Sequence, residues 1–475
     1  MNRFVDVTRN IAVLGLGTVI HKAAGALLFI TLARYVGEEG IGLYAFANSF
    51  TMIFLMIPDL GLNLLLVRAV TQNPSLASKY LGNVMVMRTA LAVLAFMIVA
   101  VVTLIGFTDQ TKASLVLLCA GAVFFSSLSL GFRWSFQPFR QFHIESLLLS
   151  GESIIMLGVG VLVLFLGYGL IEFTSMRVIL SLLTCLAGFY MARTYVARPH
   201  FEFDRSFCRQ LIVNAMPFMG AVICSTLYFN IDTILLGFFT NNAETGRYNA
   251  AYRVILMLRM IPGLFQMVTY PVLVKARNEP ADEFLRITER SFRYIIIIGL
   301  GISGITLLFP DMILMIYGAE FVEAAPILQV LIFASFFYFV SNVSIGILLS
   351  GHQERTVLKM SIIALVINVV LNMVLIPWKG GMGASIAIFT SEAASLIFLL
   401  LAVKRNIKSI RFSMLFIRPL CAISVALIPA ILLRHGAPLI GIAGLAILYS
   451  LMLIFTRAIP RNDLRLAFSF MQGNR

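Results

Sequence analysis

Apolar runs of about twenty residues, separated by short polar stretches, recur along nearly the whole chain. About 20 consecutive apolar residues cross a bilayer as a helix, so this pattern predicts an all-α membrane protein with about fourteen transmembrane helices. The first six centre near His21, Met52, Leu94, Val123, Gly158 and Thr184. The next six centre near Ser225, Met260, Gly304, Phe337, Ile367 and Glu392, and the last two near Val425 and Leu448. The first run, Ile11 to Leu32, is longer than the roughly 7–15 residues of a signal-peptide core and reads as a membrane helix. The loops are short and leave no room for a sizeable soluble domain.

Composition agrees with that reading. Sixty per cent of the 475 residues are hydrophobic (60%) and only 12% are charged, against about 45–50% and about 25% in soluble domains. The five cysteines, Cys119, Cys185, Cys208, Cys224 and Cys421, are scattered through apolar runs. They form no metal-ligand spacing and no disulfide framework, so they read as small core residues. The five histidines are equally dispersed, and no nucleophile, base and orienter converge. Membrane glycosyltransferases and ligases are also polytopic, but commonly carry a long extramembrane loop with catalytic residues. The expectation is a protein that is not an enzyme and needs no cofactor or metal. Gly15-x-Gly17 is too short for a dinucleotide fingerprint, and the Gly380-Gly381-x-Gly383 run suits close helix packing better than a phosphate cradle.

Orientation follows from the basic residues. With the N-terminus inside, most of the 36 Lys and Arg fall on the cytoplasmic side. These are Arg3 and Arg9; Arg68, Lys79 and Arg88; Arg133 and Arg140; Arg193, Arg198, Arg205 and Arg209; the Lys275 to Arg293 group; Arg355 and Lys359; and the Lys404 to Arg418 group, followed by the C-terminal arginines. The outer side receives Arg34, Lys112, Arg177, Arg247, Lys379 and Arg434. An even number of crossings preserves this asymmetry, which predicts both termini in the cytoplasm of a multi-pass protein of the cell (inner) membrane. The net charge of +14 then faces anionic membrane lipids, and nucleic acid is not an expected partner.

The second half of the chain echoes the first. Gly42, Tyr44, Ala47 and Met56-Ile57-Pro58 recur as Gly246, Tyr248, Ala251 and Met260-Ile261-Pro262, and Asn10 recurs as Asn214. The constant offset of 204 positions predicts a duplicated six-helix unit: residues 1–204, residues 205–408, and a final pair of helices with a cytoplasmic tail in 409–475. Six helices return the chain to its starting side, so the repeats are parallel, a known transporter plan with the site between the halves. Pro58 and Pro262 should each kink a helix, as packing features or as paired bending points.

A charge at mid-bilayer costs roughly 2.5–3.5 kcal/mol and needs a partner or a water-filled cavity. Lys22 and Arg259 lie near the centres of the first and eighth helices. Tyr252, Arg259 and Gln266 are spaced by seven and should share a face; Arg253 lies around the helix from them, nearer the outer surface. One reading is a cationic site for an anionic group such as a pyrophosphate. The other is pairing with a buried acid, Glu152, Asp232 or Glu392. Asp232 and Glu392 are candidates either for H⁺ or Na⁺ coupling or for such ion pairs. Asn368 and Asn372, with Ser361 further back, could bond sugar hydroxyls or neighbouring helices.

Arg34-x-x-Gly37-x-x-Gly40-x-Gly42-x-Tyr44, Asp59-x-Gly61 and Arg68 resemble the opening of the polysaccharide transport proteins. These belong to the multidrug/oligosaccharidyl-lipid/polysaccharide (MOP) exporter superfamily. Ile231-Asp232, Gly246-x-Tyr248-x-x-Ala251-x-Arg253, Gly351, Arg355, Asn368-x-x-x-Asn372-x-x-Leu375-Ile376-Pro377 and Gly383-Ala384 resemble its later helices. The resemblance implies a repeat-unit flippase for O-antigen-type, lipopolysaccharide-class assembly, moving an undecaprenyl-pyrophosphate-linked oligosaccharide to the outer leaflet. It implies a V of two six-helix bundles working by alternating access, beside a polysaccharide polymerase complex. Multidrug exporters of the superfamily often carry an acid in helix 1, where this chain has His21 and Lys22. The basic run after helix 1 of peptidoglycan-precursor flippases is also not apparent. Those two relatives, and a non-transporting scaffold of a sugar-assembly complex, are the alternatives.

Overall fold

The computed structural model describes residues 2–59, 61–196, 205–407, 409–433, 437–460 and 463, without the side chains of 2–12, 64, 76, 205–218 and 221. The side chains of Arg3, Arg9, Asn10, Arg198, Arg205, Cys208, Arg209, Asn214 and Arg434 therefore lie outside the described residues. The chain begins with α1 (Asn2–Asp59), α2 (Leu62–Gln72), α3 (Ala77–Gly106), α4 (Gln110–Trp134), α5 (Phe142–Phe165) and α6 (Leu170–Tyr195). It continues with α7 (Arg205–Phe239), α8 (Asn242–Leu258), α9 (Met260–Ala276), α10 (Ala281–Leu308) and α11 (Pro310–Leu314). It ends with α12 (Ala325–Ser350), α13 (Glu354–Asn406), α14 (Phe412–Leu433) and α15 (Pro438–Phe455). No strand occurs among the described residues.

Among the described residues, twelve helical stretches are long and apolar enough to span a membrane. Two are too long for one crossing: Val13–Asp59 has 47 residues and Glu354–Asn406 has 53. At 1.5 Å per residue these extend about 70 and about 80 Å, against about 30 Å of hydrocarbon. Each is broken at a glycine, Gly37 (φ 70°, ψ −176°) and Gly380 (φ 50°, ψ −130°). Side chains with a Cβ resist that left-handed region, so glycine lets the chain leave one helix and enter the next without a loop. Counting both breaks gives fourteen crossings among the described residues, and each predicted centre falls inside one.

Two compact units form, Met1–Asn249 and Ala250–Arg475. In the first, α1 packs against α4, α5 and α7, and α4 against α6; Phe46, Phe50, Leu115 and Cys119 share one core cluster there. In the second, α12 packs on α9, α10 and α13, and α14 lies between α10 and α15, around Phe292, Phe339, Val343 and Ile423.

The 204-residue offset reappears in element boundaries. After the Gly37 break helix resumes at Glu38, and α8 begins at Asn242; α3 begins at Ala77 and α10 at Ala281. The compact units divide the chain after Asn249 because α7 and the start of α8 belong with α1. A Cβ on Gly42 would collide with the Asn242 carbonyl oxygen, and one on Gly246 with that of Glu38. Glu38 and Asn242, like Gly42 and Gly246, are 204 apart, so this backbone contact is reciprocal under the offset. Glu38 adds an ion pair to Arg247 at 3.3 Å.

Pro262 has no N–H to offer Leu258, and its ring crowds that carbonyl. The expected single eighth helix is accordingly interrupted between α8 and α9, at Arg259. Pro58 lies one residue before the end of α1.

Candidate functional site: polar groups inside the spans

In the first unit, Lys22 lies roughly 14 Å along its helix from Val13 and about 22 Å from the Gly37 break. One face of this helix packs on α5: His21 Nδ1 and Ser153 Oγ share a hydrogen bond, and a Cβ on Gly17 would strike Ser146. Another face carries Gly15, Thr18, Lys22 and Gly25, spaced to align along one side. Cβ atoms on Gly15 or Gly25 would meet nothing within 4 Å, and Lys22 is exposed. Small residues in a membrane helix usually let backbones approach. Here they border open space on either side of a cation.

Further polar groups bridge the same unit. Arg177 of α6 donates to the Tyr44 hydroxyl and to Asn48 Oδ1, both at 2.8 Å. Arg133 of α4 lies 3.9 Å from Glu152 of α5, and the charge of Arg177 also acts on Glu152. Arg88 of α3 is fully buried. It donates to Asp59 Oδ1 at 2.6 Å, to the Ser127 carbonyl at 3.0 Å and to the Pro58 carbonyl at 3.3 Å. Buried Asp232 of α7 accepts from the Tyr248 hydroxyl at 3.1 Å.

In the second unit, Arg259 Nη2 donates to Glu392 Oε1 at 2.8 Å, with both side chains 6% exposed. The Arg259 guanidinium also lies over the Tyr338 ring, 4.4 Å from its centroid, a cation–π contact that desolvation strengthens. Gln266 packs against Gly346 of α12. Asn372 donates to Asn368 Oδ1 at 3.2 Å, and both are fully buried, whereas Ser361 is exposed and bonds the Val357 carbonyl. Arg253 acts on Tyr317, in the segment after α11; burial pushes that hydroxyl up to about 12 although the cation opposes the rise.

The expected seven-residue face of Tyr252, Arg259 and Gln266 is thus split between two helices: Tyr252 ends up buried on α8, Arg259 at the junction and Gln266 on α9. Sequence counting also misplaced two cations. Arg88, expected in a cytoplasmic loop, is eleven residues into α3 and sealed among carbonyls. Arg177, expected outside, is held within α6 by Tyr44 and Asn48. The missed signal for Arg88 is the apolar Val84–Met87 stretch that precedes it; for Arg177 it is the run that already begins at Leu170.

Residues 7–277, more than half of the chain, match the family described as polysaccharide biosynthesis protein. A 189-residue stretch is 25% identical to the probable flippase AglR of Haloferax volcanii, covering 38% of this chain and 39% of that protein's length. Among solved structures, the lipid II flippase MurJ in an inward closed conformation aligns with a TM-score of 0.77 at 15% identity, over 94% of this chain and 98% of its own. An inward-facing multidrug resistance MATE transporter of the MOP superfamily aligns at 0.63 and 13% identity, over 83% and 98%. At such identities the likeness concerns the fold. With a family match across its first half and a membrane-helix architecture shared with MurJ and MATE transporters, the chain belongs to the polysaccharide biosynthesis protein family.

Proposed function

We propose that this protein is a flippase that carries a polyprenyl-pyrophosphate-linked oligosaccharide from the cytoplasmic to the outer leaflet by alternating access, for cell-surface polysaccharide assembly. The observation that carries the reading is Lys22: an exposed cation deep in a membrane helix, on a face where Gly15 and Gly25 border open space. A cation at that depth is costly against lipid tails and suits a wet cavity that receives an anion. An ammonium offers three donors to phosphate oxygens as a mobile point charge. Small neighbours leave room for a bulky headgroup, while a prenyl chain can remain in lipid. Membership of a polysaccharide biosynthesis family and the flippase names of two similar proteins support the same substrate class.

Arg259 enters this reading differently. Its pairing with Glu392 makes the site neutral as built, so an arriving pyrophosphate would compete with a carboxylate. Exchange of partners is one way for ligand to favour one conformation over another. Asp232, with its Tyr248 contact, and Glu392 are the acids through which H⁺ or Na⁺ coupling would act.

The test is flipping of a fluorescent prenyl-pyrophosphate oligosaccharide in proteoliposomes, beside empty vesicles and a cationic-dye efflux assay. Wild-type protein is expected to flip the lipid without exporting dye. Lys22→Gln should slow flipping roughly tenfold or more, the worth of a lost charged hydrogen bond, at unchanged thermal stability. Wild-type flipping by Lys22→Gln would overturn the role of this residue. Dye efflux without flipping would overturn the substrate class.

A further inference from the structure

A polar cavity opens in the second compact unit, far from Lys22 in sequence. It has a volume of about 200 Å³ and lies where the first part of α10, the start of α14 and the chain just after α15 meet. Three guanidiniums line it, Arg293, Arg411 and Arg418, with Glu289 as the acid in its wall. Glu289 and Arg293 are four apart and share a face of α10; Arg411 and Arg418 are seven apart and share a face of the α14 segment. Three cations against one acid leave the cavity positive.

Neighbouring contacts hold the cavity open and keep another acid engaged. Arg418 Nη1 donates to the Arg457 carbonyl at 3.2 Å, fastening the start of α14 to the end of α15. Asp463 accepts from Arg290 and, at 2.7 Å, from the Tyr294 hydroxyl. Its two oxygens are thus engaged by α10 groups outside the cavity lining. Met414 and Leu415 add apolar side chains to the lining. Beyond Arg418, on the same side of α14 as Met414, the exposed side chains of Val425 and Ile428, at 45% and 61%, continue along the helix.

From this geometry we infer that the cavity binds the phosphate of an anionic phospholipid, in the leaflet on the side where α10 and α14 begin. Guanidinium forks match phosphate oxygens, and basic pockets between membrane helices suit anionic headgroups. The ligand is a lipid rather than a free phosphate because the charged cavity continues into an exposed apolar track that would follow its acyl chains. This site is separate from the transport reading, and it gives the C-terminal helix pair a task of its own: anchoring the second unit to negatively charged bilayer.

The full-length chain, purified into nanodiscs of phosphatidylcholine, is titrated with phosphatidylglycerol and retained lipid is measured by native mass spectrometry. Wild type should retain phosphatidylglycerol over phosphatidylcholine. Arg411→Gln with Arg418→Gln should weaken retention roughly tenfold or more, at about fivefold per cation near the surface. Arg286→Gln, also on α10 but outside the lining, should leave it unchanged. Glu289→Gln should tighten it, which keeps the test decisive if the double variant proves unstable. Equal retention of both lipids, wild-type retention by the double variant, or looser binding by Glu289→Gln would overturn the proposal. Displacement of the lipid by millimolar inorganic phosphate would overturn the lipid assignment in favour of a soluble-anion site.

Discussion

Arg259 and Glu392 are 133 positions apart in sequence, yet each is the partner that makes the other tolerable inside a membrane protein. A buried ion pair gains little over well-packed apolar residues, but removing one member strands a charge at about 3–5 kcal/mol. Arg259→Met or Glu392→Leu alone should therefore lower the unfolding temperature sharply in detergent, and the double variant should regain most of the loss. If the double variant is stable but no longer flips lipid, the pair serves transport; if it flips normally, the pair serves packing. Arg88 poses a different problem, since it satisfies two backbone carbonyls as well as Asp59. Arg88→Lys keeps the charge but loses the planar fork, and should still destabilise by about 2 kcal/mol, as read by thermal unfolding. Lys22 was legible in the sequence because nothing apolar of its length hides an ammonium in mid-helix. Arg88 was not, because a basic residue near the end of an apolar run looks the same whether it snorkels or is capped by carbonyls 30 and 39 positions away.

The elements are set by glycine and proline as much as by apolar length. Gly37 and Gly380 turn two very long apolar stretches into four crossings. Run length alone gave the number of crossings, because a bilayer has a fixed thickness. It could not tell a loop from a single-residue turn, since both read as a short interruption. Nor could it reveal that Arg259 falls at a helix junction, because the crowding by Pro262 acts one turn upstream of the proline. The glycines also differ among themselves, and substitution by alanine separates them. Gly42→Ala and Gly246→Ala each drive a methyl into a facing carbonyl oxygen and should cost about 3 kcal/mol, the upper range for overpacking. Gly263→Ala, where a Cβ would meet open space, should be neutral or stabilising by up to about 1 kcal/mol. Thermal unfolding of the three variants checks this order, and a tolerated Gly42→Ala would mean that the contact is looser than the backbone geometry states.

At the scale of the whole molecule, the fourteen crossings among the described residues predict which loops share a side. In a cysteine-free background, Ser75→Cys and Gln353→Cys should react with an impermeant maleimide from one side only, and Asn241→Cys and Lys379→Cys from the other. Labelling of Lys379→Cys and Gln353→Cys from the same side would mean that Gly380 does not reverse the chain. The 204-residue offset was legible because Gly42–Pro58 matches Gly246–Pro262 without a gap, and the starts of α3 and α10 keep it. The compact units were not, because contacts follow packing of α7 on α1 rather than descent. Across all of this lies the voltage of a living membrane, worth about 2.3 kcal/mol per elementary charge per 100 mV. With its charges 2.8 Å apart, the Arg259–Glu392 pair moves through that field as a neutral body, and the voltage does almost no work on it. If the pair stays closed during flipping, the electrical slope belongs to the headgroup, an anion pushed outward by an inside-negative potential, and is unchanged when the pair is replaced by methionine and leucine; a changed slope would mean that the pair opens to exchange partners or to couple an ion.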